Sequence, residues 1–313
     1  VLVILAPGQG AQTPGFLQPW LEDAQSAARL ERLSEVAGLD LGHYGTEADA
    51  ETIRDTRIAQ PLLVAAGLLA GLDLVPADAL GRVGALAGHS VGELTVAGLS
   101  GALTAEEAVQ LVRERGEAMA EAAAATPTSM TAVLGGDRDD VLAAIEKQGL
   151  TPANDNGPGQ IVAAGTVDQL AAFAEEPPAR ARLIPLSVAG AFHTEHMAPA
   201  VSRVDALAAT ITPQDPATRV ISNADGQVVA SGADVLARIV AQISRPVRWD
   251  LCMETMLELG VTGVLELPPA GTLTGIAKRA MKGVESFALK TPDQLDEARA
   301  FVDKHAESTA GDL

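Results

Sequence analysis

The chain has 313 residues, 47% of them apolar and 20% charged, so it is long enough to bury a large core and too ordinary in composition to be disordered. Its 41 acidic residues outnumber its 22 basic ones, for a net charge of −19, and with only 5 Phe, 2 Trp and 1 Tyr it lacks the basic and aromatic surface that nucleic acids require. One cysteine, Cys252, excludes an internal disulfide, and no Cys/His cluster has metal-ligand spacing. The longest apolar run, Leu62 to Leu72, falls short of the roughly 18 residues of a membrane span, and no cationic signal segment opens the chain. No metal, no nucleic acid, no membrane and a cytoplasmic location are the resulting expectations.

In chain order, the apolar β-branched segment Val1 to Leu5 reads as a strand buried on both faces, ending at Pro7-Gly8-Gln9-Gly10. Residues Gln60 to Leu72 are apolar almost all round, which predicts a central helix with Pro61 in its first turn. A short strand at Val83 to Leu86, a tight turn at Gly88 to Gly92 and a helix from Val91 to Leu99 follow within a few residues. Thr104, with Ala105, Glu106 and Glu107 after it, reads as the N-cap of a helix running to about Ala124. Between residues 127 and 189 the spacing predicts a compact unit: strands at 129–134, 160–164 and 182–188, helices at 137–148 and 167–174, and an edge strand at 150–153. Helices at 195–209, 232–243, 251–259 and 272–280 and strands at 219–222 and 263–266 return to α/β alternation.

The fold expected is α/β: an α/β-hydrolase-like core with a parallel sheet, built from residues 1–126 and 190–290, plus an inserted ferredoxin-like small subdomain at 127–189. A C-terminal extension, residues 291–313, is expected to be partly disordered.

Gly88-His89-Ser90-Val91-Gly92 matches the G-x-S-x-G nucleophile elbow and sits between a predicted strand and helix, as that turn requires. A sharp turn there exposes the Ser90 hydroxyl and aims the Val91 N–H at a developing oxyanion; the plain alternative is a glycine-rich turn with an incidental serine. Of the five histidines, His305 lies in the tail, His43 in a loop, and His89 points elsewhere on the turn. That leaves His193 and His196 as candidate bases, with His193 at a strand end and His196 expected on a solvent-facing helix turn. Arg115 falls on the apolar stripe Leu111, Val112, Met119 of its helix. A buried guanidinium needs either an internal carboxylate or an anionic ligand.

Taken in this order, Pro7-Gly-Gln-Gly-Ala-Gln12, Gly88-His-Ser-Val-Gly-Glu93, Arg115-Gly116, Asn156-Gly-Pro-Gly-Gln-Ile161, Ala191-Phe-His-Thr194 and Pro246-Val-Arg-Trp249 resemble the malonyl-CoA:acyl carrier protein transacylases of type II fatty acid and polyketide synthesis. The resemblance implies that Ser90 carries the acyl group and His193 is its base, oriented by backbone carbonyls around Gln242 to Arg245. It implies an oxyanion hole from the N–H groups of Gln9 and Val91, a grip of Arg115 on the malonyl carboxylate, and substrate contacts from Phe192 and Asn156. Malonyl-CoA is then the substrate, the phosphopantetheine of an acyl carrier protein the acceptor, and no cofactor is bound. A serine esterase or thioesterase-type hydrolase using the same dyad is the alternative, and a non-catalytic docking module a more distant one. The Leu267-Pro268-Pro269-Ala270-Gly271 loop and Arg245 before Pro246 depart from the family pattern. Lys278, Arg279, Lys282, Arg245 and Arg248 are the expected basic patch for an acidic carrier.

Overall fold

The computed structural model describes residues 1–188 and 190–306. In chain order its elements are β1 (Leu2–Ala6), α1 (Ala24–Ala37), α2 (Leu41–Thr46), α3 (Thr56–Leu74), β2 (Ala85–Gly88), α4 (Gly92–Leu99), α5 (Ala105–Ala125), β3 (Thr128–Gly135), α6 (Arg138–Lys147), β4 (Thr151–Asp155), β5 (Gln160–Thr166), α7 (Val167–Glu175), β6 (Ala181–Pro185), α8 (Ala198–Ala208), β7 (Val220–Ile221), β8 (Val228–Val229), α9 (Gly232–Gln242), β9 (Val247–Arg248), α10 (Trp249–Glu258), β10 (Gly263–Glu266), α11 (Thr272–Ala280), β11 (Glu285–Ala288) and α12 (Leu295–His305). They form a mixed α/β fold with two sheets.

The larger sheet has the order β11-β10-β1-β2-β7-β8, parallel throughout except for the β7/β8 pair. Its central strand β1 is buried on both faces, as its unbroken apolar sequence requires. Leu2, Ile4 and Ala6 pack into the core that holds α3, α4 and α5, while Val3 and Leu5 pack against α10 and α11. Helices therefore cover both faces. The smaller sheet has the order β6-β3-β5-β4-β9; its first four strands are mutually antiparallel, and β9 joins β4 in parallel.

Local signals explain most boundaries. The Thr104 hydroxyl and the Glu107 carboxylate close a capping box at the start of α5, and Asp55 caps α3 by accepting from the Arg57 N–H. Helix α3 begins at Thr56, so Pro61 lies in its second turn and not its first. The Arg57 carbonyl that Pro61 cannot reach accepts instead from Arg113 Nη1 at 3.5 Å. Among the described residues only α3, 19 residues long, is long and apolar enough to cross a membrane, and 78% of its most apolar stretch is buried in the fold.

Two expectations need correction. The strand expected at 150–153 as an edge is β4, shifted to 151–155, and β9 covers its outer side. That partner comes from the far end of the sequence, two residues long, too short for any periodicity to reveal. The extension expected to be partly disordered, 291–313, carries α12 at 295–305, with Ala298 and Val302 buried; residues 307–313 lie outside the described residues. The predicted helix at 195–209 begins as a 3-10 turn at Glu195–Met197, where His196 is half-buried, and becomes α-helical only at Ala198.

Candidate active site

Strand β2 runs into α4 through His89, Ser90 and Val91, and the turn is tight enough to dictate its flanking residues. A Cβ on Gly88 would lie 2.1 Å from the Gly92 carbonyl carbon, and one on Gly92 would lie 2.2 Å from the Ala6 carbonyl oxygen. Ser90 itself adopts φ 53°, a left-handed conformation that costs a non-glycine residue about 1–3 kcal/mol. Asn223, at the end of β7, holds the turn in place. Its Oδ1 accepts from the Ser90 N–H at 2.8 Å and its Nδ2 donates to the Gly88 carbonyl at 2.7 Å.

His193 shares the left-handed conformation, at φ 62°. Ala191, two residues earlier, donates its N–H to Thr128 Oγ1 at 3.0 Å, and the Thr194 hydroxyl donates back to the Ala191 carbonyl at 2.7 Å. So held, His193 places Nε2 2.7 Å from Ser90 Oγ and Nδ1 2.8 Å from the Gln242 carbonyl oxygen. A carbonyl only accepts, so the proton resides on Nδ1 and the Nε2 lone pair faces the serine hydroxyl. Burial, then the Arg115 charge, pushes His193 down to about 3, against weaker opposing pulls from the Gln242 and Arg245 backbones. The ring is a neutral base that is ready to accept a proton.

Arg115 is 1% exposed. Nη1 donates to Gln60 Oε1 at 2.6 Å and Nη2 to Gln242 Oε1 at 2.9 Å, with Ser90 Oγ at 3.5 Å from Nη2. Its Nε has no partner. Neither partner amide carries charge, and among the described residues no carboxylate oxygen pairs with the guanidinium. Burial lowers it to about 10. The nearest counter-charge is one residue removed: Gln242 Nε2 donates to Glu93, a carboxyl 4% exposed in the first turn of α4.

Ser90, His193, Gln9, Val91 and Phe192 line a cavity of about 90 Å³. Among the described residues the backbone N–H groups of Gln9 and Val91 donate to no partner. The Gln9 side chain is occupied elsewhere, donating to Thr56 Oγ1 at 3.2 Å. Phe192, 8% exposed, also borders a surface groove of about 910 Å³ that shares Gln9, Leu186 and Val188 with the cavity. The groove and the cavity thus share one wall.

Asn156 departs from expectation. The chain turns at the end of β4, where the Asn156 N–H meets the Gln160 carbonyl at 3.0 Å, and the side chain is directed to His89, with Oδ1 2.8 Å from Nε2. It braces the elbow from behind, next to the His89/Trp249 edge contact, and Asn154 lines the cavity in its place. Arg248 likewise leaves the expected basic patch, since Asp250 binds it through Nε and Nη2 at 2.9 and 2.7 Å. Arg245, Lys278, Arg279 and Lys282 are exposed. In the Pro268-Pro269 loop, fully buried Glu266 accepts the N–H groups of Gly271, Leu273 and Thr274, which fixes the start of α11.

Gln60, Glu93 and Asn223 complete the site without having been assigned a role from sequence. Gln60 stood out as a lone polar residue at the head of an apolar helix. Glu93 closes the elbow motif, and Asn223 follows a strand, where open sheets place functional groups.

Residues 3–304 match the acyl transferase domain family. The chain is 50% identical over 298 residues to the malonyl CoA-acyl carrier protein transacylase of Mycobacterium tuberculosis, covering 95% of this chain and 99% of that protein. A crystal structure of the Mycobacterium tuberculosis enzyme superposes with a TM-score of 0.92 at 49% identity, over 95% of this chain and 99% of that one. A structure of a type II polyketide-synthase acyl-carrier protein in complex with its malonyl-transacylase aligns at a TM-score of 0.88 and 27% identity, over 96% and 99% of the two chains. Ser90 and His193 line the cavity, Arg115 lies buried beside the serine, and the match over residues 3–304 together with 50% identity across nearly the whole chain shows that the chain belongs to the malonyl CoA-acyl carrier protein transacylase family of acyl transferases.

Proposed function

We propose that this protein transfers a malonyl group from malonyl-CoA, through an ester on Ser90, to the phosphopantetheine thiol of an acyl carrier protein. His193 Nε2 takes the Ser90 proton as Oγ attacks the thioester carbonyl, and the N–H groups of Gln9 and Val91 hold the oxyanion. The intermediate collapses, the C–S bond breaks, and the CoA sulfur leaves with the proton from His193. In the second half the pantetheine thiol gives His193 its proton, its sulfur attacks the Ser90 ester, and Oγ departs protonated. The Gln242 and Arg245 backbones orient the ring. No bound cofactor enters, since both thiols arrive as substrates.

The observation that carries this reading is Arg115. A cation buried beside the nucleophile has Nε unpartnered and no carboxylate in direct contact among the described residues, and the malonyl carboxylate supplies a direct one through Nε and Nη2, so that a non-reacting end orients the reacting one. A neutral ester leaves the guanidinium unsatisfied, which counts against the hydrolase alternative. Intact-protein mass spectrometry after exposure to malonyl-CoA tests the proposal. The expected result is a persistent malonyl adduct that is absent in Ser90→Ala and discharged by a holo carrier protein. Rapid release of free malonate, or no adduct, contradicts it.

Residues 1–126 and 190–290 read as an α/β-hydrolase-like core, supported by the parallel sheet and elbow. The strand order β6-β3-β5-β4 around two helices supports a ferredoxin-like reading of 127–189, with β9 lent to it by the core. A cytoplasmic location accords with substrates made and consumed there. The exposed cations Arg245, Lys278, Arg279 and Lys282 form the surface offered to an acidic carrier.

A further inference from the structure

Glu93 has no part in the reaction just described, yet its carboxyl is tied to Ser90 and Arg115 through Asn223 and Gln242. Oε1 accepts from the Asn223 N–H at 2.7 Å, and Asn223 in turn holds the Ser90 N–H. Oε2 accepts from Gln242 Nε2, which also donates to the Ser90 carbonyl at 3.1 Å, while the same amide's Oε1 accepts from Arg115. Glu93 and Arg115 are thus two opposite charges at the ends of a single glutamine, both almost fully buried.

A low-dielectric site tolerates one such balanced pair far better than an unequal set of charges. A malonyl carboxylate arriving on Arg115 turns one cation and one anion into one cation and two anions. Resting on the function proposed above, we propose that Glu93 is a positioning residue and resident counter-charge to Arg115, which takes up a proton when the malonyl carboxylate engages the guanidinium. Acylation by a donor without a carboxylate leaves Glu93 as it was.

The surroundings favour protonation at this position. Glu93 is raised from 4.5 to about 7 by burial, against pulls from Asn223, Arg115, Gln242 and Arg238, so an added negative neighbour moves it further in a range where water supplies the proton. Of the other groups that face it, Arg238 on α9 is already bound to Asp225 at 2.7 Å, and the buried Cys252 thiol on α10 is pushed well up by burial and by Glu93 itself, so it stays protonated. Asp250 is bound by Arg248. Among the described residues, His193, which burial and the Arg115 charge hold down, and His89 in the same cavity wall, held down by burial, are the competitors for the proton.

The test is the proton stoichiometry of acylation at pH 8, read with a pH indicator in weak buffer and normalised to the adduct counted by mass spectrometry. Release of CoA thiol is common to malonyl-CoA and acetyl-CoA and cancels in the difference. The expected difference is an uptake approaching one proton per active site for malonyl over acetyl, lost in Glu93→Gln. Equal counts for the two donors in the wild type overturn the proposal without recourse to a variant. A malonyl-specific uptake that persists in Glu93→Gln overturns it as well and assigns the proton to one of the two buried histidines, His193 or His89. Failure to form any malonyl adduct instead removes the functional reading on which the proposal rests.

Discussion

Gln242 meets His193 through its backbone alone: the carbonyl oxygen lies 2.8 Å from Nδ1, which leaves the side chain of the same residue for Arg115 and Glu93. One position thereby orients the base and the anion-binding cation, and the two duties separate by mutation. Gln242→Leu keeps the carbonyl and removes the amide. Losing a hydrogen bond to a charged group costs about 1.5–3 kcal/mol, so kcat/KM for malonyl-CoA should fall roughly 10- to 150-fold, and that for acetyl-CoA by less. Equal losses for both donors would indicate that the side chain matters only to the fold.

The pH dependence follows from the environment of His193. Because burial and Arg115 hold the ring down to about 3, the free enzyme keeps its base neutral well below the ordinary histidine value of 6.5. The kcat/KM profile for malonyl-CoA, which reports free-enzyme groups, should show no acid limb from this ring near 6.5. Stability carries the same signature. Between about 3 and 6.5 the unfolded chain binds the proton that folded His193 refuses, so this group's contribution to stability rises with pH across that window and is flat above it. An acid limb at 6.5 that survives in Glu93→Gln would contradict the account.

The elbow makes a steric prediction. Gly92→Ala would put a methyl group 2.2 Å from the Ala6 carbonyl oxygen, a backbone atom of the central strand that cannot yield. The variant should lose acylation at Ser90 and show a lowered melting temperature, reflecting the loss of about 1–3 kcal/mol of stability typical of overpacking, or more. Activity close to wild type would mean that the turn is looser than its geometry.

Phe192 walls the same cavity as Ser90, so a branched acyl group on Ser90 is expected to meet its ring. Phe192→Ser should admit methylmalonyl-CoA. A single methyl group is discriminated by only about 1–3 kcal/mol, so the ratio of kcat/KM values should relax by roughly 10- to 200-fold and no more. Unchanged selectivity would place the steric filter on another residue.

Chemistry was more legible in the sequence than architecture. The elbow at 88–92 and the arginine on an apolar stripe stand out locally, because a tight turn, a helical phase and a buried charge impose residue types, whereas the choice of His193 over His196 and of a ligand as the partner of Arg115 rests on the family resemblance. Strands β7, β8 and β9 have two residues apiece; β9 is held by distant β4 and β8 only by its hairpin with β7, and two residues are too few for a local pattern to reveal the last two. Asn156 and Asn154 show the finer limit. Two asparagines two positions apart near a strand end are equivalent in the sequence, and only the turn closed by Gln160 sends one to His89 and leaves the other on the cavity wall. Gln60 and Asn223 likewise acquire meaning only from partners brought together by the fold.

The central claim, that Arg115 reads the malonyl carboxylate, is tested most directly by kcat/KM for malonyl-CoA and acetyl-CoA on Arg115→Ala, with the melting temperature of the same protein. Removing one half of a desolvated charge pair typically costs about 2–5 kcal/mol, so malonyl transfer should fall by roughly 30- to several-thousand-fold. Acetyl transfer should fall little or rise, since an acetyl group never satisfied the buried charge. Parallel loss for both donors, accompanied by a lowered melting temperature, would contradict the account and make Arg115 a structural counter-ion to Glu93.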